Sequence, residues 1–310
     1  MTGTHVIGVD LGGTKILSGL VGPGGAVERR YEIGTPVEST EALLEGLDAA
    51  VEAVLDDRVA ALGFGIPSTI DQRLGRVIAS VNIPLAGVDL RGRMRERWGL
   101  PCGIDNDANA AAIAEWRIGA GRDTTDMVML TIGTGVGGGL ILGGRPYRGR
   151  TGAGAEVGHI VILHDGPPCQ GNCTGRGHLE ALCSGHAATL LAREAFGPAA
   201  DAHRLVRLAN EGDATAKGIL EGIGERLGSA MGTLVNLFTP ERVVIGGGFG
   251  AAAWHYLLEP ARRIARRESL EPGRSLLEIV PAELGTAAGL IGAGFVAFEA
   301  LEASATLETA

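Results

Sequence analysis

An α/β fold built from two related halves is what this sequence predicts, on three observations. Apolar strand-like runs alternate with stretches of helical periodicity along the chain. A strand, a glycine turn carrying a threonine and a second strand occur at residues 5–21, and the same pattern returns at 126–142. The chain also holds 51 glycines, clustered at strand ends, where tight turns and close backbone approach to a ligand need them.

The elements follow in order. Residues 5–10 read as a buried strand ending in Asp10, and Gly12, Gly13, Thr14 and Lys15 turn it into a strand at 16–21. Backbone N–H groups on a glycine turn form an anion nest, and Asp10 could hold Mg²⁺ through water. The P-loop spacing is absent, and a plain glycine hairpin is the competing reading. Residues 40–55 have helical periodicity, 61–66 read as a strand, and 91–98 as a short basic helix. A strand at 102–105 runs into Asn106 and Asp107, followed by an alanine-rich helix at 108–116. Acids at a strand-to-helix junction serve as N-caps, but the carboxyl ends of strands are also where α/β folds place ligands.

The second half opens with a strand at 126–132. Gly133, Thr134 and Gly135, then Gly137–Gly139, lead into an apolar strand at 140–142. Two such glycine turns could clamp a polyphosphate. Helices are expected at 185–196, 202–210 and 214–238. A strand at 242–245 precedes a third glycine cluster, Gly246, Gly247 and Gly248, suited to a base or ribose lying against the backbone. A helix at 254–267, a strand at 276–280, an apolar helix at 286–301 and a disordered tail complete the expectation.

Within the second half lies the densest chemistry, in residues 154–180. Two prolines and several glycines make 165–177 a loop. Cys169 and Cys173 are separated by three residues, His178 follows after four more, and His159 lies upstream. Two thiols and two imidazoles suit a tetrahedral zinc site, with His164 a rival to His159. Glu156 and Glu180 are then free to accept hydrogen bonds from a polar ligand.

Composition narrows the class. A 310-residue chain is expected to make two domains. A net charge of −9 argues against a nucleic-acid or anionic-membrane surface. Four cysteines, two in the proposed metal loop, fit a reducing cytoplasm better than a disulfide framework. The first strand begins almost at once, so no signal peptide is expected, and no uninterrupted apolar run reaches membrane-spanning length.

The segments DLGGTK (10–15), NDANAAA (106–112), TIGTGVGGGLI (131–141), GAEVGHI (154–160), the Cys/His loop and RGHLE (176–180) occur in this order. Together they resemble the ROK family of sugar kinases and repressors, and its bacterial glucokinases most, over essentially the whole chain. The resemblance implies an α/β, actin-like (ribonuclease H-like) two-domain sugar kinase fold with an interdomain cleft. A small domain would span 1–108, completed by a helix at 290–302, and a large one 109–289, with the zinc loop at 159–178. It implies ATP-dependent phosphorylation of glucose at the 6-hydroxyl, with Asp107 as base and Asn106, Asp107, Glu156, His159 and Glu180 on the sugar. Asp10, Gly12, Gly13, Thr14, Lys15, Thr134, Gly135 and Gly246–Gly248 would hold ATP and Mg²⁺. Structural Zn²⁺ would sit on His159, Cys169, Cys173 and His178. A cytoplasmic homodimer or higher oligomer is the family habit.

Two departures from the family pattern are visible. The loop reads Cys-x3-Cys-x4-His where the family reads Cys-x-Cys-x4-Cys, and a Gly-Ile-Pro-Gly turn ends here in Ser68. Mannose, fructose or an N-acetylhexosamine as substrate, polyphosphate as donor, a sugar-responsive regulator and a plain actin-like ATPase are the alternatives. A regulator of the family is expected to carry an N-terminal helix-turn-helix of some tens of residues, whereas the first strand here is expected from His5.

Overall fold

The structure is a computed structural model and describes residues 4–308. In chain order its elements are β1 His5–Leu11, β2 Lys15–Val21, β3 Val27–Gly34, α1 Thr40–Glu52, β4 Val59–Ile66, β5 Ser68–Asp71, β6 Arg76–Ser80, α2 Leu90–Trp98, β7 Cys102–Asn106 and α3 Asp107–Ile118. There follow β8 Met127–Ile132, β9 Val136–Ile141, α4 Leu179–Cys183, α5 Gly185–Phe196, α6 Ala202–Asn210, α7 Ala214–Phe238, β10 Arg242–Gly246, α8 Gly248–Ala252, α9 Trp254–Glu268, α10 Gly273–Leu276, β11 Glu278–Pro281 and α11 Ala288–Glu308. The chain divides into two compact units. One comprises residues 1–122, 146–155 and 286–310, the other residues 123–145 and 156–285.

The first unit is built on a five-stranded sheet in the order β3-β2-β1-β4-β7. β1, β2 and β3 pair antiparallel, and β1, β4 and β7 run parallel. One face packs under α1 and α2 in a core that includes Ile7, Val9, Leu43, Leu47, Phe64 and Met94. The other face is covered by α11, which comes so close that three strands need glycine beneath it. A Cβ at Gly63 would lie 1.9 Å from the carbonyl oxygen of Ala293, one at Gly8 2.3 Å from that of Leu290, and one at Gly103 2.5 Å from that of Val296. Residues 285–306 are long and apolar enough to cross a membrane, but half of that stretch is buried inside the protein, as suits a core helix. The disorder expected after Leu301 is not found among the described residues, where helix continues to Glu308.

The second unit repeats the theme with a four-stranded sheet, β11-β10-β8-β9. β8 and β9 form an antiparallel hairpin, and β10 and β11 extend the sheet in parallel. Gly137–Gly139 belong to β9 rather than to a turn. A Cβ at Gly138 would meet Val157 at 2.4 Å and the Met129 carbonyl at 2.5 Å, so the strand must be bare there. The sequence reading missed β3, the β5–β6 hairpin and the short α4, α8 and α10. β3 is a largely exposed edge strand with no apolar run, and the three helices have only four or five residues each.

Candidate functional site

In the first unit the site is built on the ends of β1 and β7. Asn106 caps α3: its side-chain oxygen accepts from the backbone N–H of Ala108 at 2.9 Å and of Asn109 at 3.3 Å. Asp107 is therefore the first helical residue and not the cap. Its half-buried carboxyl is raised above the usual carboxylate range, chiefly by desolvation, against backbone and Asn106 hydrogen bonds that lower it. Gly65, one residue before the end of β4, lies against the first turn of α3, where a Cβ would stand 3.2 Å from the Ala110 Cβ, closer than an ordinary contact.

Asp105, two residues before Asp107, is fully buried. One of its oxygens takes the Asn106 N–H at 2.8 Å and the Asn109 amide at 3.1 Å, and the other takes Arg148 at 2.6 Å. Arg148 also donates to Glu299 on α11 at 2.7 Å, and the two carboxylates raise its pKa against the lowering effect of burial. This triad ties three distant segments to the junction that carries Asp107. The sequence carries no signal for it, because Arg148 lies 43 residues from one partner and 151 from the other.

Asp10 is the second acid of this unit. Desolvation, then the charge of Asp107, raise its pKa from 3.8 to about 6, and Lys15 lowers it. Room for its carboxylate comes from Gly289 at the start of α11, where a Cβ would lie 2.5 Å from an Asp10 oxygen. The turn after β1 is closed by the Gly12 N–H donating to the Lys15 carbonyl at 2.8 Å, and by Thr35, whose hydroxyl donates to the Gly12 carbonyl at 2.7 Å. Gly13 and Thr14 stay exposed at its tip. Lys15 pairs with Glu32 on β3 at 3.0 Å, a surface ion pair. Ser68 begins the β5–β6 hairpin, and its hydroxyl donates to Ser80 at 3.0 Å.

In the second unit the β8–β9 turn and the Cys/His loop meet at Glu180. One Glu180 oxygen accepts the Val136 N–H at 2.9 Å, and a Cβ on Gly135 would lie 2.3 Å from that same oxygen. Gly135 is thus required by the carboxylate behind it. The Thr134 carbonyl takes the N–H of His186 at 3.2 Å. Glu156 precedes a 3-10 turn at Val157–His159 and follows Ala155, a non-glycine residue at φ 65. Such a backbone costs about 1–3 kcal/mol and persists only where its surroundings fix it. Of the third glycine cluster, Gly247 has φ +83 and lies against the Ile132 backbone, where a Cβ would come within 2.5 Å. Gly248 opens α8 with nothing near its missing side chain.

The loop itself closes through short-range bonds, among them the Ile162 N–H on the Gly177 carbonyl at 2.9 Å and the Cys169 N–H on the Gly175 carbonyl at 2.9 Å. Gln170 donates to the Ser184 hydroxyl at 2.7 Å. This draws His159, Cys169, Cys173 and His178 together, with one ligand atom from each within 4.8 Å of the others. The two Nδ1 atoms lie 3.3 Å apart, Cys169 Sγ lies 3.6 Å from His159 Nδ1, and Cys173 Sγ lies 3.6 Å from His178 Nδ1. Zinc bonds of about 2.0–2.3 Å put tetrahedral neighbours about 3.3–3.8 Å apart, so the donor set fits that ion. His164 takes no part in the cluster: it pairs with Asp165 at 3.4 Å, almost fully exposed.

Comparison with known proteins agrees with this arrangement. The ROK family profile matches residues 6–300. The chain is 32% identical to a glucokinase of Streptomyces coelicolor over 94% of its length and 97% of that protein. It is 34% identical to a glucokinase of Thermotoga maritima, covering 94% of this chain and 96% of the relative. The structure of a ROK family glucokinase from Streptomyces griseus in complex with glucose and AMPPNP superposes with a TM-score of 0.82 at 32% identity, over 95% of this chain and 99% of that one. The fold is the actin-like, two-domain sugar kinase fold, and the chain belongs to the ROK family.

Proposed function

We propose that this protein is an ATP-dependent glucokinase that transfers the γ-phosphoryl group of ATP to the 6-hydroxyl of glucose. The observation that carries the reading is Asp107, a desolvated carboxyl at the end of β7 that is relieved of the capping role by Asn106. Phosphoryl transfer has a loose transition state, so the protein must position the reactants and supply a base for the attacking hydroxyl. A carboxyl with a raised pKa takes that proton more readily than an ordinary one.

The other roles follow from the chemistry of each group. The Asn106 amide has two hydrogens, so it can support Asp107 with one and offer the other to a hydroxyl while its oxygen holds the cap. His159 turns Nδ1 toward the thiols, which leaves Nε2 for the sugar. Glu156 and the second oxygen of Glu180 accept from sugar hydroxyls. Such a site rejects a wrong epimer because buried polar groups are then unpaired. Gly12, Gly13 and Thr14, with Thr134 and Gly135, offer backbone and hydroxyl donors to the phosphates, and Gly246–Gly248 offer bare backbone to the nucleoside. Lys15 is engaged by Glu32 and plays the smallest part. Mg²⁺ bound with ATP would be held through Asp10 and would neutralise developing charge. Zn²⁺ on His159, Cys169, Cys173 and His178 would be structural, supplying loop rigidity and no Lewis acidity.

A coupled assay with ATP across glucose, mannose, fructose and N-acetylmannosamine tests the reading. Glucose should give the highest kcat/KM. A clear preference for another sugar would move the substrate and keep the kinase; turnover of none would remove the kinase.

A further inference from the structure

The first unit carries a groove of about 810 Å³ that the proposed chemistry does not use. It lies along the start of β7, at Cys102–Ile104, whereas Asp107 follows the strand's other end. Its size suits a ligand of metabolite dimensions. One wall is apolar, with Leu100 and Pro101 alongside Val296, Ala300 and Ala303 of α11.

The charged lining is what sets it apart. Arg91 is half-buried and has no carboxylate within ion-pair distance among the described residues. Its one side-chain bond goes to the Gln72 oxygen at 3.1 Å, and Gln72 is held in turn by donating to the Ile104 carbonyl at 2.7 Å. Two glycines make room for this pair. A Cβ at Gly75 would lie 2.5 Å from Arg91 Cβ, and one at Gly152 2.3 Å from Gln72 Cγ. Arg95, one helical turn on, lines the same groove and makes no ion pair among the described residues. Burial pulls the Arg91 guanidinium below its ordinary value, and the charges of the nearby Asp89 and Asp105 offset that only in part, so full counter-charge is lacking. The two lining carboxylates do not supply it: Glu299 is taken by Arg148, and Glu96 is an exposed residue.

We propose that this groove binds a small phosphomonoester, its oxyanion between Arg91 and Arg95 and its carbon body against the apolar wall. Guanidinium groups present planar forks of N–H donors that match phosphate oxygens bidentately. The inference does not rest on the glucokinase reading, since a chain inactive toward glucose would bind the same ligand here.

Isothermal titration of the full-length protein with 3-phosphoglycerate, which has no sugar ring, tests it. Saturable binding of about one molecule per chain is expected, and inorganic phosphate should compete. Arg95→Glu, a change at an exposed position, should weaken binding about tenfold or more, the loss of one charge-assisted contact. Arg91→Met together with Arg95→Met should abolish it. Sugar turnover should be unchanged in Arg95→Glu, which also reports that this variant is folded. Binding equal in wild type and Arg95→Glu, binding displaced by glucose with a non-hydrolysable ATP analogue, or no binding at millimolar ligand would each overturn the proposal.

Discussion

The Asn106–Asp107 junction and the 159–178 loop hold their functional groups by opposite means. At the junction the supports are a parallel strand, a capped helix and an ion triad around the buried Asp105. In the loop there are isolated β-bridges, a 3-10 turn and four side chains that converge on one point. The junction is held by the protein's own bonds. The loop buries little apolar side chain to offset its ordering entropy, and the proposed ion would supply what is missing. Substitutions at the junction should therefore change chemistry, and substitutions in the loop should change structure first and chemistry through it.

Asp107→Asn is the sharpest test of the first half and should have the largest effect. The amide keeps the shape and can still accept from the Ala108 N–H, so fold and sugar binding should persist. The base is gone, and kcat should fall by about 10² or more. Near-normal turnover would reduce Asp107 to a helix-start residue.

The loop should respond differently. Metal analysis should find about one zinc per chain, as in closed four-ligand sites. Cys173→Ala and His178→Ala should each lose it, and His178→Cys should keep it, because a thiolate serves the same tetrahedral position. The loss should raise KM for glucose more than KM for ATP, since in the proposed site His159 would be shared between the metal and the sugar. Zinc-free protein with wild-type kinetics would remove the ion from the account. Gly177→Ala probes the same loop without touching a ligand. Its φ is +65, and an added Cβ would stand 1.6 Å from the Leu163 carbonyl oxygen, which leaves no room, so zinc retention should suffer there too.

Legibility in the sequence followed the same division. The glycine turns, the acid at the junction and the Cys/His loop are short, local patterns, and all could be named from spacing alone. Long-range supports could not. Nothing near Asp105 announces Arg148, and nothing near Asp10 announces Gly289, whose missing side chain gives the carboxylate its space. The close packing of the last apolar helix was hidden for a related reason. Its close packing is matched by glycines at positions 8, 63 and 103, on three separate strands that only the folded sheet brings together. Asn106 rather than Asp107 as the cap was also beyond the sequence, because both residue types cap well.

Asp10 offers the smallest effect, and it sharpens the view that the junction stores electrostatic cost. Its pKa rises from 3.8 to about 6 on folding, through desolvation first and the charge of Asp107 second. The folded state thus binds the proton more tightly than the unfolded chain does. Between those two values the unfolded chain ionises while the folded one does not, so stability falls as pH rises through this window, and the cost is fully present above pH 6. A rise of this size corresponds to about 3 kcal/mol, and discounting for the solvent that still reaches this half-buried group leaves about 1–2 kcal/mol. Asp10→Asn should therefore stabilise the protein in urea unfolding at pH 8, with a smaller gain at pH 5, while Mg²⁺-dependent turnover drops. A gain independent of pH would mean that packing, not charge, limits this position. A loss of stability at pH 8 would mean that the carboxylate is better supported than its burial beside Asp107 implies.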